Sequence, residues 1–183
     1  MSTKGIFKNK KGFTLAETLL VVLLILIVSG ILASGIPTVI RVYHNITDAS
    51  NAQALISTTM TELRDKIALA TDIKNGATPS SELNFVSEDG REYTLTSTKE
   101  GLYLDDHTSS EYGEKNSRLL VTDSAAARNL CAVFKTVSYT SGIVTFDNLK
   151  VCRKKEVDDK GIENANALVE IETYKVKVIK NTN

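Results

Sequence analysis

Tryptophan is absent from this 183-residue chain, aromatic residues make up 6%, and there are two histidines, two cysteines and two prolines. So few aromatics argue against a surface that stacks sugars or unpaired bases. With only His44 and His107, a histidine-rich metal site has no material, and neither stands beside a candidate nucleophile in sequence; HExxH and phosphate-cradling glycine loops are missing too. Net charge is also lacking, with 22 basic against 22 acidic residues, so no bulk field draws the chain to nucleic acid. Most informative is the near-absence of charge between Phe13 and Ile36, where Glu17 is the single ionisable residue.

Those 24 residues, as a helix, reach roughly 36 Å, enough for a hydrocarbon core of about 30 Å. Lys4, Lys8, Lys10 and Lys11 precede them with no acidic residue in between. Of the 22 basic residues these four leave 18 against 22 acidic ones in the rest, a mildly acidic body behind a basic head. A basic head before a long apolar run is the pattern of a segment that inserts into a membrane and leaves its head in the cytoplasm. Pro37 is expected to end or kink the run.

Downstream the helical beat continues in a more polar sequence. Ala49, Ala52, Ile56, Met60, Leu63, Ile67 and Ala70 recur every three or four residues, and Asp48, Glu62, Arg64, Asp65 and Lys66 lie off that stripe. This predicts an amphipathic helix over 37–74, stopped by Asn75-Gly76 and Pro79. Beyond it the period falls to two. Leu83 to Glu88 and Arg91 to Ser97 flank Asp89-Gly90, a hairpin signal whose two-residue register sets Val86 opposite Tyr93 and Glu88 opposite Arg91. Gly101 to Asp105 and Arg118 to Thr122 are further strands, and 106–117 and 154–166 read as polar loops. Leu130 to Tyr139 and Ile143 to Arg153 form a second hairpin, and Leu168 to Ile179 is a last strand.

A two-residue turn at Ser141-Gly142 faces Ala132 with Val151, Phe134 with Leu149, Thr136 with Asp147 and Val137 with Phe146. It also faces Cys131 with Cys152, on a pair whose Cα atoms come within disulfide range, so the two are either a disulfide or two buried free thiols. Asp105-Asp106-His107, Asp158-Asp159 and the basic run Arg153-Lys154-Lys155 read as solvated charge rather than as metal or DNA sites.

The stretch Lys10-Lys11-Gly12-Phe13-Thr14-Leu15-Ala16-Glu17-Thr18, followed by Leu19 to Val28, resembles the class III signal of type IV pilins and secretion pseudopilins. In that family a basic leader ends in glycine, and the mature chain starts with Phe or Met and carries glutamate as its fifth residue. The resemblance implies cleavage after Gly12 by a prepilin peptidase, N-methylation of Phe13, and pairing of Glu17 with the Phe13 amine of a neighbouring subunit. It covers closely only about the first 30 residues. Pro37 falls later than the proline many members carry. Two other readings of the segment are an ordinary signal-anchor with a chance glutamate and a secretory signal cut near Ala33-Ser34-Gly35.

The expected fold is α+β: a long N-terminal helix, membrane-embedded in its first half, packed in its second on an antiparallel sheet. Its parts are a leader at 1–12, a membrane and polymerisation helix at 13–36, an amphipathic helix at 37–74 and a β-rich head at 75–183. Ile56, Met60, Leu63 and Ile67 are expected to bury against Val86, Tyr93, Leu95, Val133, Val137, Val144 and Phe146. The implied function is structural, a minor pilin of a type IV pilus-like filament, needing no cofactor or metal. The alternatives are a pseudopilin of type II secretion or DNA uptake and a non-polymerising anchored binding module. Implied partners are the peptidase, other pilin subunits, an assembly platform with its ATPase, and the membrane. The implied location is the cytoplasmic membrane before assembly and an envelope or cell-surface filament after it.

Overall fold

The structure is a computed structural model and describes residues 14–107, 116–121 and 129–179. The leader, with Gly12 and Phe13, lies outside the described residues, as does Thr122. The chain divides into two units, Met1–Asn45 and Ile46–Asn183.

Helix α1 is Leu15–Ala68. In the first unit it is apolar and every side chain from Thr14 to Asn45 is exposed. Leu19, Leu23, Ile27 and Ile31 each keep more than half of their surface free. The helix runs through Pro37, which was expected to end or kink it. Proline removes one backbone donor there. In the same turn Ser34 donates its hydroxyl to Ile31 O (3.0 Å) and Thr38 donates its hydroxyl to Ser34 O (3.3 Å).

The second unit is α+β. Within it α1 buries Ala52, Leu55, Ile56, Thr59, Leu63 and Ile67, while Met60 is half-buried and Ala49 exposed. The stripe is therefore broader than the expected one, taking in Leu55 and Thr59. The Thr59 hydroxyl donates to Leu55 O (2.8 Å), which lets a polar group sit in the core.

The helix stops at Ala68 rather than at Lys74. Ala70 N donates to Ile67 O, and Thr71 N and Lys74 N then donate to Val86 O and Asn84 O, so the chain leaves the helix as strand β1 (Asp72–Ile73). Asn75 is no helix stop. Its side-chain amide donates to Glu82 O (2.7 Å) and accepts from Asn84 N (2.5 Å), imitating one more residue of the strand pairing.

Strands β1, β2 (Glu82–Val86), β3 (Glu92–Thr98), β4 (Gly101–Asp106) and β5 (Asn116–Leu119) form one antiparallel sheet in chain order. Its first hairpin is one residue out of the expected register: Leu83 faces Leu95 and Phe85 faces Tyr93. The loop has three residues, not two. Gly90 N donates to Ser87 O, Ser87 N donates to Arg91 O, and Gly90 takes φ 78°, a tight turn closed by a left-handed glycine. The shift takes Val86 out of the core and puts Phe85 into it, with ring centroids 5.7 Å from Tyr93.

The second sheet is built on β8 (Ile143–Arg153). Strands β6 (Leu130–Val133) and β7 (Thr136–Thr140) lie end to end along one edge of β8, and β9 (Ala167–Lys177) pairs along the other. Ser141 and Gly142 both take positive φ, 54° and 81°, the two-residue turn expected. The expected pairs Cys131–Cys152, Ala132–Val151, Thr136–Asp147 and Val137–Phe146 all form. Phe134 and Leu149 are both buried but do not pair with each other, because the ladder breaks between β6 and β7 opposite Asn148, which sits at φ 55°; Leu149 pairs instead with Ile171 of β9. That break changes which residues face the core. Leu130, Ala132, Val137, Val144 and Phe146 join α1, whereas Val133 turns to the other face.

What covers that other face is helix α2 (Lys154–Asn164), where a loop was expected. It buries only Val157 and is interrupted at Gly161 (φ 78°), so it lacks an apolar period. Glu156 and Lys160, one turn apart at 2.8 Å, support it, and Lys150 donates to Glu163 O and Ala165 O, both at 3.2 Å, at its far end.

Candidate functional site

Glu17 sits in the first turn of α1 and folds back on its start. Thr14 N donates to Glu17 Oε2 (2.8 Å), the Thr14 hydroxyl donates to the same oxygen (3.0 Å), and Glu17 N donates to Thr14 Oγ1 (3.3 Å). This reciprocal arrangement is a capping box, satisfying donors that a helix start leaves without partners. Thr18 N then donates to Thr14 O (3.1 Å). The box was readable as Thr14-Leu15-Ala16-Glu17 ahead of an apolar run, but sequence reasoning used Glu17 only as a charge.

Chemically, the box gives the only acidic side chain of the apolar segment a fixed place at the positive end of the helix. It also holds the carboxylate beside Thr14, the residue bonded to Phe13. Residues 7–33 match the family model described as the prokaryotic N-terminal methylation motif. The chain is type IV pilin-like at its N-terminus. No curated protein and no solved structure matches the chain. The motif supports a pilin- or pseudopilin-type subunit and points to a structural role rather than an enzymatic one. It implies processing by a prepilin peptidase and polymerisation with other pilins. With the apolar helix, it is consistent with membrane anchoring and an envelope or surface filament.

The remaining sequence candidates are placed as follows. Cys131 and Cys152 are cross-strand neighbours, both buried and both free thiols. Burial and the neighbouring Cys152 push the Cys131 thiol up to about 12; burial raises that of Cys152 too. Neither is therefore an activated nucleophile.

Asp106 pairs with Arg91 (3.6 Å) and His107 Nε2 lies 2.7 Å from the Thr94 hydroxyl. Among the described residues no group of three or more His, Cys, Asp or Glu side chains converges as a metal site. Arg153 is not simply solvated: its Nε and second guanidinium nitrogen reach Asp48 Oδ2 of α1 at 2.9 and 2.8 Å.

Proposed function

We propose that this chain is a structural subunit, a minor pilin, of a type IV pilus-like filament. It is stored in the cytoplasmic membrane through the apolar part of α1, cleaved after Gly12, N-methylated on Phe13 and polymerised through that helix. The methylation-motif match, with Glu17 as its one acidic residue, is the observation that carries this reading. Cleavage creates an amine at Phe13, and Glu17 then has a cation to pair with on a neighbouring subunit. In a low-dielectric setting such a contact is much stronger than in water, though desolvation offsets part of it. It also selects one stagger between helices that apolar packing alone leaves undetermined. Assembly energy must come from a separate platform and ATPase.

The test is the mass of the mature N-terminus. A chain beginning at Phe13 with one added methyl group is expected, and Gly12→Leu is expected to accumulate as uncleaved precursor. A mature protein that keeps its lysine-rich leader, or begins beyond the apolar run, would sink the proposal. Pseudopilins of type II secretion or DNA uptake share the same motif. Surface imaging separates the two, since a pilus extends from the cell and a pseudopilus stays within the envelope. A non-polymerising anchored binding module predicts that Glu17→Ala has no effect on the protein's distribution.

A further inference from the structure

Beneath α2, two thiols face one another across adjacent strands. Cys131 of β6 and Cys152 of β8 are register partners. Antiparallel partners have Cα atoms about 4.5 to 5.5 Å apart, inside the roughly 4.4 to 6.8 Å that a disulfide spans. Their side chains are sealed, at 2% and 0% exposure, in a small cluster with Val133, Val157 and Ala165. Two features hold the lid of this cluster: Val157, the buried residue of α2, and the Lys150 amine gripping the Glu163 and Ala165 carbonyls. The Cys131 thiol donates to Cys152 O at 3.8 Å and the Cys152 thiol to Ala165 O at 4.0 Å, so each has a carbonyl acceptor and almost no exposed surface.

We propose that Cys131 and Cys152 are joined by a disulfide in the exported protein, and that α2 is the cover that must lift before this bond forms or breaks. The chemistry needs an external disulfide, either of a thiol oxidoreductase or of a small molecule. One cysteine, as thiolate, attacks that disulfide, giving a mixed disulfide and releasing one oxidant thiol. The second cysteine then displaces the other oxidant sulfur. Two protons and two electrons leave the chain, and the oxidant departs as two thiols. With α2 seated, the oxidant has no access and burial disfavours the thiolate. Closure therefore belongs to the interval before α2 docks, and the finished bond is equally shielded from reductant.

Export of this unit rests on the filament reading, so the N-terminal mass is taken from the same sample. Full-length protein from acid-quenched cells is alkylated in denaturant before and after reduction. For protein with a processed N-terminus, no adduct before reduction and two after it are expected. Two adducts before reduction on processed protein overturn the disulfide. An unprocessed N-terminus overturns the filament reading instead.

The cover is tested on purified full-length chain, reduced and then exposed to oxidised glutathione. Val157→Ala and Lys150→Met, each loosening α2, are expected to oxidise about tenfold faster than the unsubstituted chain. Thermal melts monitor folding. Equal rates in all three chains overturn the cover. If both variants unfold, urea below the unfolding transition replaces them: a rate rising with urea supports the cover and a flat rate overturns it.

Discussion

Glu17 does two jobs in this reading, and three substitutions at two positions separate them. Within its own helix the carboxylate accepts from Thr14 N at 2.8 Å and the Thr14 hydroxyl at 3.0 Å. Between subunits it is proposed to meet the Phe13 amine. Glutamine serves in a capping box as well as glutamate, so Glu17→Gln keeps the helix start and deletes the charge. Thr14→Ala does the reverse, removing the hydroxyl that accepts from Glu17 N at 3.3 Å while leaving the carboxylate. Losing a threonine cap costs about 1 kcal/mol, about fivefold in an equilibrium. Leaving an amine without its partner in a low-dielectric contact costs much more, beyond about a hundredfold. The assay is the fraction of processed protein in sheared filaments against the fraction left in membranes. Thr14→Ala is expected within about tenfold of the unsubstituted chain, and Glu17→Gln as defective as Glu17→Ala, beyond about a hundredfold. If Glu17→Gln assembles within about fivefold of the unsubstituted chain, the carboxylate is a cap alone and the inter-subunit pair is refuted.

Three further outcomes concern the second unit. Leu63 is 1% exposed in the core shared by α1 and the sheets, so Leu63→Ala should lower stability by about 3 kcal/mol in urea titration; a loss under about 1 kcal/mol would mean that α1 is not packed there. Asp48 and Arg153 keep 33% and 41% of their side chains exposed, so Asp48→Ala should cost less than about 1 kcal/mol, with a double-mutant cycle against Arg153→Ala isolating the pair. Lys74 beside Glu92 (2.6 Å) and Lys160 beside Glu156 hold both carboxyls below the ordinary value of 4.5. Their contribution is complete above that value and lost as pH falls through the depressed folded ones. The urea midpoint should therefore fall on acidification below 4.5, less steeply in a Glu92→Gln, Glu156→Gln chain; identical slopes would contradict the assignment.

The two hairpins show what sequence alone could settle. At Ser141-Gly142 both residues adopt positive φ, the turn has two residues, and counting outward reaches Cys131 and Cys152 correctly. Asp89-Gly90 carries the same kind of signal, but aspartate-glycine also closes a three-residue loop with glycine alone left-handed. The choice was recoverable from side-chain alternation. A two-residue turn leaves Phe85 opposite Thr94, whereas the observed register matches Leu83 with Leu95 and Phe85 with Tyr93. A single slip moves a whole strand's side chains to the other face, which is why Val86 was misplaced. Val133 failed for a different reason. Asn148 at φ 55° interrupts the alternation, and a lone asparagine in the left-handed region within a strand has no sequence signature strong enough to count on. Helix α2 was invisible for want of a period: its one buried side chain, Val157, is held by the β6–β8 face and not by a stripe of its own.

The N-terminal motif was far more legible than the fold that accompanies it, and the cause is physical. Residues 7–33 would be met in turn by a peptidase, a bilayer and a neighbouring helix. Each of those readers recognises side chains or backbone along one continuous stretch, so the chemistry is written in adjacent residues. The Ile46–Asn183 unit is held by contacts between residues far apart in sequence, such as Tyr174 donating its hydroxyl to Met60 O (2.8 Å) and Arg153 reaching Asp48. Cores of that kind accept many apolar combinations of similar volume. A motif model therefore fits the first region, while the second has to be built before it can be read. On this argument the two regions should separate experimentally. Substitutions such as Leu63→Ala change unfolding without altering the processed N-terminus, and Glu17→Gln changes assembly without altering the unfolding of the second unit.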